Sequence, residues 1–198
     1  MSTMQFIRYF DLSPLPWKNG LGLTREIGLV ASDTLAAGFR FRMSRAVIDG
    51  QAAFSRYPGV RRWLVLARGS ALELRFDGQP TRQLDRVGEF CAFSGDDVVE
   101  GVPLDGPSED FNLMLADPEL DAELIVRPLV GSMILHQPAK AWLVFHLLDG
   151  QAHLQGTALA IAAGDTLWMD PTAADRIAAR IDGGGNALIV VITPRSAR

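Results

Sequence analysis

Turn residues punctuate this chain so often that few architectures can accommodate it. Short apolar, β-prone runs recur between Gly, Pro and Asp, among them "RRWLVLA", "ALELRF", "EFCAF", "DFNLMLA", "AWLVFHLL", "DTLWMD", "DRIAARI" and "NALIVVIT". Short strands separated by regular turn signals indicate an all-β sandwich or barrel. In "FRFRMSRAVI" large apolar residues alternate with Arg42, Ser44 and Ala46, the period of a half-buried strand. Arg68-Gly69 and Asp149-Gly150 each lie between two such runs and predict β-hairpins. Helical periodicity is scarce, and "DPELDAEL", Asp117 to Leu124, is the best candidate for a short helix.

The chain also repeats itself. "RRWLVLARGSALEL" and "KAWLVFHLLDGQAHL" share an apolar strand, a turn ending in Gly and a return strand, so Gly69 corresponds to Gly150. "GEFCAF" from Gly88 matches "GDTLWM" from Gly164. The order strand, turn, strand, Gly-acid, strand resembles the cupin skeleton. The predicted fold is an all-β, antiparallel bicupin, a duplicated cupin-like barrel with little helix. Its halves are 1–132 and 133–198, with a soft boundary inside one compact unit.

Bulk properties exclude several functions. Hydrophobic residues at 48% and charged residues at 21% are those of a globular chain and not of a disordered one. A formal charge of −4 speaks against a nucleic-acid partner, which requires a basic face. No apolar run approaches the roughly 20 residues of a membrane helix, and the start has no apolar signal core. The single cysteine, Cys91, rules out an internal disulfide and makes a reducing cytoplasm the expected location. Lying in "EFCAF", it reads as a buried structural thiol.

Cupins commonly hold a metal through an H-x-H motif near the first hairpin, but the first half of this chain has no histidine. Its equivalent stretch, "FSRYPGVRR", offers a hydroxyl, a phenol and guanidiniums, which suit no borderline divalent metal. Neither a metal nor another cofactor is expected. If Asp149-Gly150 is a two-residue turn, His146 and His153 face one another with Cβ atoms about 5 Å apart. Two imidazoles alone fall short of a stable site, and Trp142, Val144 and Leu148 on that face read as packing. There is no G-x-S-x-G elbow. The acid pairs Asp96-Asp97 and Glu109-Asp110 read as solvated loop residues. "PWKNGLGLTREI", Pro16 to Ile27, lacks the P-loop pattern, yet it brings Lys18, Asn19, Thr24 and Glu26 together beside flexible glycines. That density of donors and acceptors is what a polar ligand pocket needs.

"PWKNGLGLTREI", "FRFRMSRAVIDGQAAFSRYPGVRR", "FSGD" and "DFNLM" together resemble the HutD/Ves family. The resemblance implies a bicupin without the usual metal ligands. It also implies a part in restraining bacterial histidine utilisation by binding a pathway intermediate, such as a formylated or formiminated glutamate or urocanate. Residue by residue, Trp17, Lys18, Asn19, Thr24 and Glu26 match the loop motif, and Arg42 and Ser44 match the strand motif. Arg62 takes the terminal arginine of P-G-x-x-R, and Asp110 and Asn112 share one face of "DFNLM". These ten residues are the expected ligand site. Two positions depart from the pattern: Leu21 stands where the family usually has glycine, and Phe41 replaces a tryptophan. Buried arginines need a nearby carboxylate, from Glu26, Asp110 or a ligand. The expected function is therefore metal-free binding of a small polar, carboxylated metabolite, in preference to catalysis. The alternative is a metal-independent hydrolase or isomerase with Glu26 or Asp110 as general base and Lys18 stabilising charge. A third reading is an interaction module with a vestigial pocket. No membrane partner is expected, and unpaired sheet edges allow a homodimer.

Overall fold

The computed structural model describes residues 4–17 and 20–195. In chain order the strands are β1 (Met4–Ile7), β2 (Leu15–Pro16), β3 (Gly22–Ala31), β4 (Phe39–Ile48), β5 (Ala52–Ala53), β6 (Arg61–Arg68), β7 (Leu72–Phe76) and β8 (Arg82–Leu84). They continue as β9 (Phe90–Ser94), β10 (Val99–Pro103), β11 (Ser108–Leu115), β12 (Leu120–Gln137), β13 (Trp142–Leu154), β14 (Ala160–Ala162), β15 (Thr166–Met169) and β16 (Arg176–Pro194). Every pairing is antiparallel. One 3-10 turn, Tyr9–Asp11, is the only helical element among the described residues. The proposed helix at Asp117–Leu124 is absent: Leu120 to Leu124 open β12, whose 18 residues find a full-length partner in β16. Tertiary pairing overrides a weak local helical pattern.

Two compact units divide the chain. The central unit is Leu12–Pro118, and the split unit joins Met1–Asp11 to Glu119–Arg198. The boundary expected after Ser132 falls inside β12, and the units part at Pro118 instead. The central unit holds a six-stranded sheet, β2-β3-β4-β11-β6-β9, and a four-stranded sheet, β5-β10-β7-β8. The split unit holds one sheet ordered β1-β15-β13-β16-β12, with β14 alongside β13. None of these sheets closes on itself among the described residues, so no closed barrel is present there.

Both predicted hairpins are absent, for different reasons. β6 and β7 flank Arg68-Gly69 but belong to different sheets, so that turn carries the chain from one layer to the other. β13 runs straight through Asp149-Gly150 as one strand paired with β16. Gly150 has φ +87°, and a Cβ there would fall 2.0 Å from the Gly184 carbonyl oxygen. This glycine serves a bulge with a close strand approach and no reversal.

The sequence repeat has a hydrogen-bonded counterpart in each unit. Gly88 N–H donates to Leu66 O at 2.8 Å, and Leu66 N–H donates to Glu89 O at 2.9 Å. Gly164 N–H donates to Leu147 O at 2.7 Å, and Leu147 N–H donates to Asp165 O at 3.1 Å. A register shift follows in both ladders. It skips Ala67 between β6 and β11 and Leu148 between β13 and β16. The split unit fills its interior with Phe145, Leu147, Leu167, Met169 and Ile181, all fully buried. The central unit packs Ile48, Leu64, Leu66, Leu72 and Leu74 between its sheets. Beyond that apolar cluster, part of its interior stays open.

Candidate functional site

Strict alternation puts core on one face of β4 and β11 and a cavity on the other. Phe41, Met43, Phe111 and Leu113 are fully buried, while Arg42, Ser44, Ala46, Asp110, Asn112 and Met114 line a cavity of about 420 Å³ in the central unit. That size suits a small metabolite, since ligand pockets span roughly 300–1,000 Å³. Register fixes the wall. Asp110 stands opposite Ala46, Asn112 opposite Ser44, and Met114 opposite both Arg42 and Arg62. Thr24 of β3 extends the Asp110–Ala46 row. The segment between β5 and β6 adds Phe54, Ser55 and Tyr57.

The glycine loop delivers its tryptophan to this cavity. Trp17 N–H donates to Gly22 O at 2.9 Å and Gly20 N–H to Trp17 O at 3.0 Å, which closes a tight turn. The indole Nε1–H donates to Thr24 Oγ1 at 2.7 Å, and the ring meets Phe54 edge-on at 6.2 Å. Gly22 carries no Cβ because one would fall 2.6 Å from Val47 O and 2.8 Å from the indole. Leu21 is 40% exposed and absent from the cavity lining, so the departure at this position does not crowd the pocket. Lys18 and Asn19 lie outside the described residues.

Of the ten expected residues, the cavity brings together Trp17, Thr24, Arg42, Ser44, Arg62, Asp110 and Asn112. Glu26 does not line it; its Oε2 accepts from Arg42 Nε at 2.7 Å in an exposed ion pair. Phe54, Ser55 and Tyr57 were not among the ten. The family motif takes only Arg62 from their "FSRYPGVRR" stretch, although Phe54 and Tyr57 there place two aromatic rings within eight residues of that cation.

Arg62 is the centre of the site's electrostatics. It is 4% exposed, with its guanidinium 4.9 Å from the Phe93 ring, 5.6 Å from Phe54 and 6.0 Å from Tyr57. Such faces stabilise a cation that has lost its water. One terminal nitrogen donates to Ser55 O at 3.2 Å, and Nε has no partner among the described residues. Burial lowers the Arg62 pKa to about 10; Asp110 and Tyr57 oppose that shift and Arg42 adds to it. Asp110, 1% exposed, is pushed up to about 7 by burial, which the charges of Arg62 and Arg45 only partly counter. Glu109 raises it further. At neutral pH this carboxyl is divided between its two forms.

Three residues of the lining each carry a buried polar atom, Arg62 Nε, Asp110 Oδ1 and Asn112 Oδ1, that has no hydrogen-bond partner among the described residues. Each unsatisfied group costs about 1–3 kcal/mol. A guest with both a carboxylate and an N–H group is complementary to this set: the anion meets the guanidinium, and the N–H meets an amide or carboxyl oxygen.

Other expected chemistry is corrected. His146 and His153 are seven positions apart on β13 and do not face each other. His146 is fully buried with Nδ1 2.8 Å from Thr166 Oγ1, whereas His153 is exposed and 3.5 Å from Asp182. No cluster of three or more His, Cys, Asp or Glu suited to a metal occurs among the described residues. Glu109 and Asp110 are buried within β11 and not in a loop; Glu109 pairs with Arg45. Cys91 is half-buried on β9, and burial raises its thiol pKa. No helix of the described residues is long and apolar enough to cross a membrane.

An all-β, cupin-like protein with a polar cavity in one of two units is the class defined by this fold and site. Residues 10–189 match the HutD family model, and the chain belongs to the HutD family. It is 39% identical over 124 residues to an uncharacterized 21.2 kDa protein of the hutC 3′ region of Pseudomonas putida. That match covers 63% of this chain and 64% of the relative, so it spans less than two thirds of the relative's length. A conserved protein of unknown function from Pseudomonas aeruginosa PAO1 is 32% identical with TM-score 0.81, covering 98% of this chain and all of that one. HutD from Pseudomonas fluorescens SBW25, solved in a formate condition, is 28% identical with TM-score 0.80 over 98% and 100%. A bacterial pirin from Escherichia coli in complex with nickel(II) shares the fold alone: 10% identity and TM-score 0.66 over 98% and 100%.

Proposed function

We propose that the central unit binds a small carboxylated metabolite in its cavity, and that the protein limits histidine utilisation by responding to that ligand. The carrying observation is that Arg62, Asp110 and Asn112 all line one cavity, each with a buried polar atom that has no hydrogen-bond partner among the described residues. The names of the P. putida and P. fluorescens relatives support the histidine-utilisation setting. Formylated glutamate, formiminated glutamate and urocanate each join a carboxylate to N–H chemistry, which makes them the first ligands to test. We read the two units as a duplicated cupin-like scaffold of open sheets, supported by the two matching glycine–acid turns.

Isothermal titration and thermal-shift measurements with these three compounds test the reading. Saturating ligand should stabilise the protein by about 2.7 kcal/mol at a concentration 100 times Kd. Arg62→Leu should weaken binding about 100-fold. No response to any of the three at millimolar concentration would sink the proposal.

Asp110 favours a second reading as a metal-independent hydrolase or isomerase. A carboxyl held near 7 in a cavity is matched to general-base work at neutral pH. Of the two acids considered for that role, Glu26 is tied to Arg42 outside the lining. Turnover of a bound compound by metal-free protein, lost in Asp110→Asn with binding retained, would establish it. Unchanged ligand after prolonged incubation would leave the binding reading alone.

A further inference from the structure

Seven strands of the three sheets have a partner on one side only: β1, β12 and β14, β5 and β8, and β2 and β9. Six of these are two to five residues long, whereas β12 has 18. A short edge offers another chain little to pair with, and a long one is a template. β12 is paired along its whole length with β16 on one side and with no strand of the described residues on the other. Its opening stretch "LDAELIVR" has none of the Pro, Gly or Lys that usually blunt an edge; Pro128 and Gly131 come only afterwards. On the outward face Asp121, Glu123, Ile125 and Arg127 are exposed, alternating with half-buried Ala122, Leu124 and Val126.

We propose that this edge pairs with the same edge of a second copy of this chain, antiparallel about a two-fold axis at Ile125. In that register Glu123 of each copy lies opposite Arg127 of the other, on the same face of the joined sheet. Ile125, 37% exposed, meets its own counterpart at the axis. The patch is thus complementary to itself in charge, as an isologous interface requires. Cross-strand opposite charges stabilise such a ladder, and like charges directly opposite disrupt it. The neighbouring register, centred on Leu124, would set Asp121 against Arg127 but leave Glu123 facing an isoleucine. The Ile125 register is therefore the favoured one. It extends the split unit's sheet across both copies by main-chain hydrogen bonds.

Sedimentation equilibrium on the full chain tests this independently of any ligand. The expected mass is twice the 21.5 kDa of one chain. Glu123→Arg or Arg127→Glu alone should weaken self-association by about tenfold or more. The double variant, which restores opposite charges at both pairs, should recover it. These side chains are exposed, and circular dichroism on each variant confirms that folding is intact. A monomer at high micromolar concentration overturns the proposal, as does a dimer indifferent to both reversals. Dissociation that the double variant fails to repair rejects the pairing, and sensitivity to Asp121→Arg in place of Glu123→Arg rejects the register.

Discussion

Leu66 in the central unit and Leu147 in the split unit occupy the same place in the same hydrogen-bonded turn, yet the strands beside them carry opposite chemistry. Asp110 stands opposite Leu66, and Ala187 stands opposite Leu147. Two residues along, Asn112 faces Leu64 where Ile189 faces Phe145. Arg62, paired with Phe93, holds the position that Leu143, paired with Met169, holds in the other unit. Arg, Asp and Asn in one unit are thus Leu, Ala and Ile in the other. The first unit is left hollow and polar, and the second is closed by apolar packing. Where the two units match locally, container and solid core differ at these three inward positions.

Truncating the solid core should give the largest effect. Phe145→Ala removes a fully buried ring and should cost about 3–5 kcal/mol in urea denaturation. A loss below about 1 kcal/mol would show that the split unit is not the packed partner in this comparison. Making the hollow unit imitate the solid one should act in the other direction. Arg62→Leu, Asp110→Ala and Asn112→Ile together should raise stability by roughly 1–4 kcal/mol, because unpaired buried polar groups are replaced by apolar ones. The same variant should lose all response to carboxylated ligands. Destabilisation would mean that the polar lining supports the fold as well.

Asp110 sharpens the contrast through pH. Its folded-state pKa of about 7 lies above the ordinary aspartate value of 3.8, so the folded protein holds a proton that the unfolded chain releases. Stability should therefore fall as pH rises from about 4 to 7 and level off above. Asp110→Asn should flatten that portion of the melting-temperature profile. An anion bound beside Asp110 favours its neutral form, so on the proposed reading affinity declines above pH 7, by at most about tenfold per unit. Equal affinity at pH 6 and pH 8 would remove Asp110 from the binding chemistry. The smallest effect is expected at the loop. Trp17→Phe deletes the hydrogen bond to Thr24 and should cost about 0.5–1.5 kcal/mol, read as a modest drop in melting temperature.

Most of the hollow unit was legible in the sequence, because alternation is a local signal. β4 spans the same ten residues as "FRFRMSRAVI", and the faces read for Arg42 and Ser44, and for Asp110 and Asn112, are those the strands display. Pairing between distant segments was not legible. Asp149-Gly150 has the local chemistry of a turn, and only the opposing "DGGGN" shows that the glycines permit two strands to approach. Likewise "DPELDAEL" has no local reason to extend until its 19-residue partner is known. The Phe54, Tyr57 and Phe93 surround of Arg62 draws on two segments far apart in sequence, so no single window could display it.

The two faces of β4 and β11 have a consequence for how such a protein can diversify. Positions 42, 44, 46, 110 and 112 set the lining, while positions 41, 43, 111 and 113 of the same strands set the packing. Substitutions at the first group revise the chemistry of the container and leave its walls standing. Descendants of one gene can therefore explore new guests one residue at a time without first surviving a collapse of the scaffold.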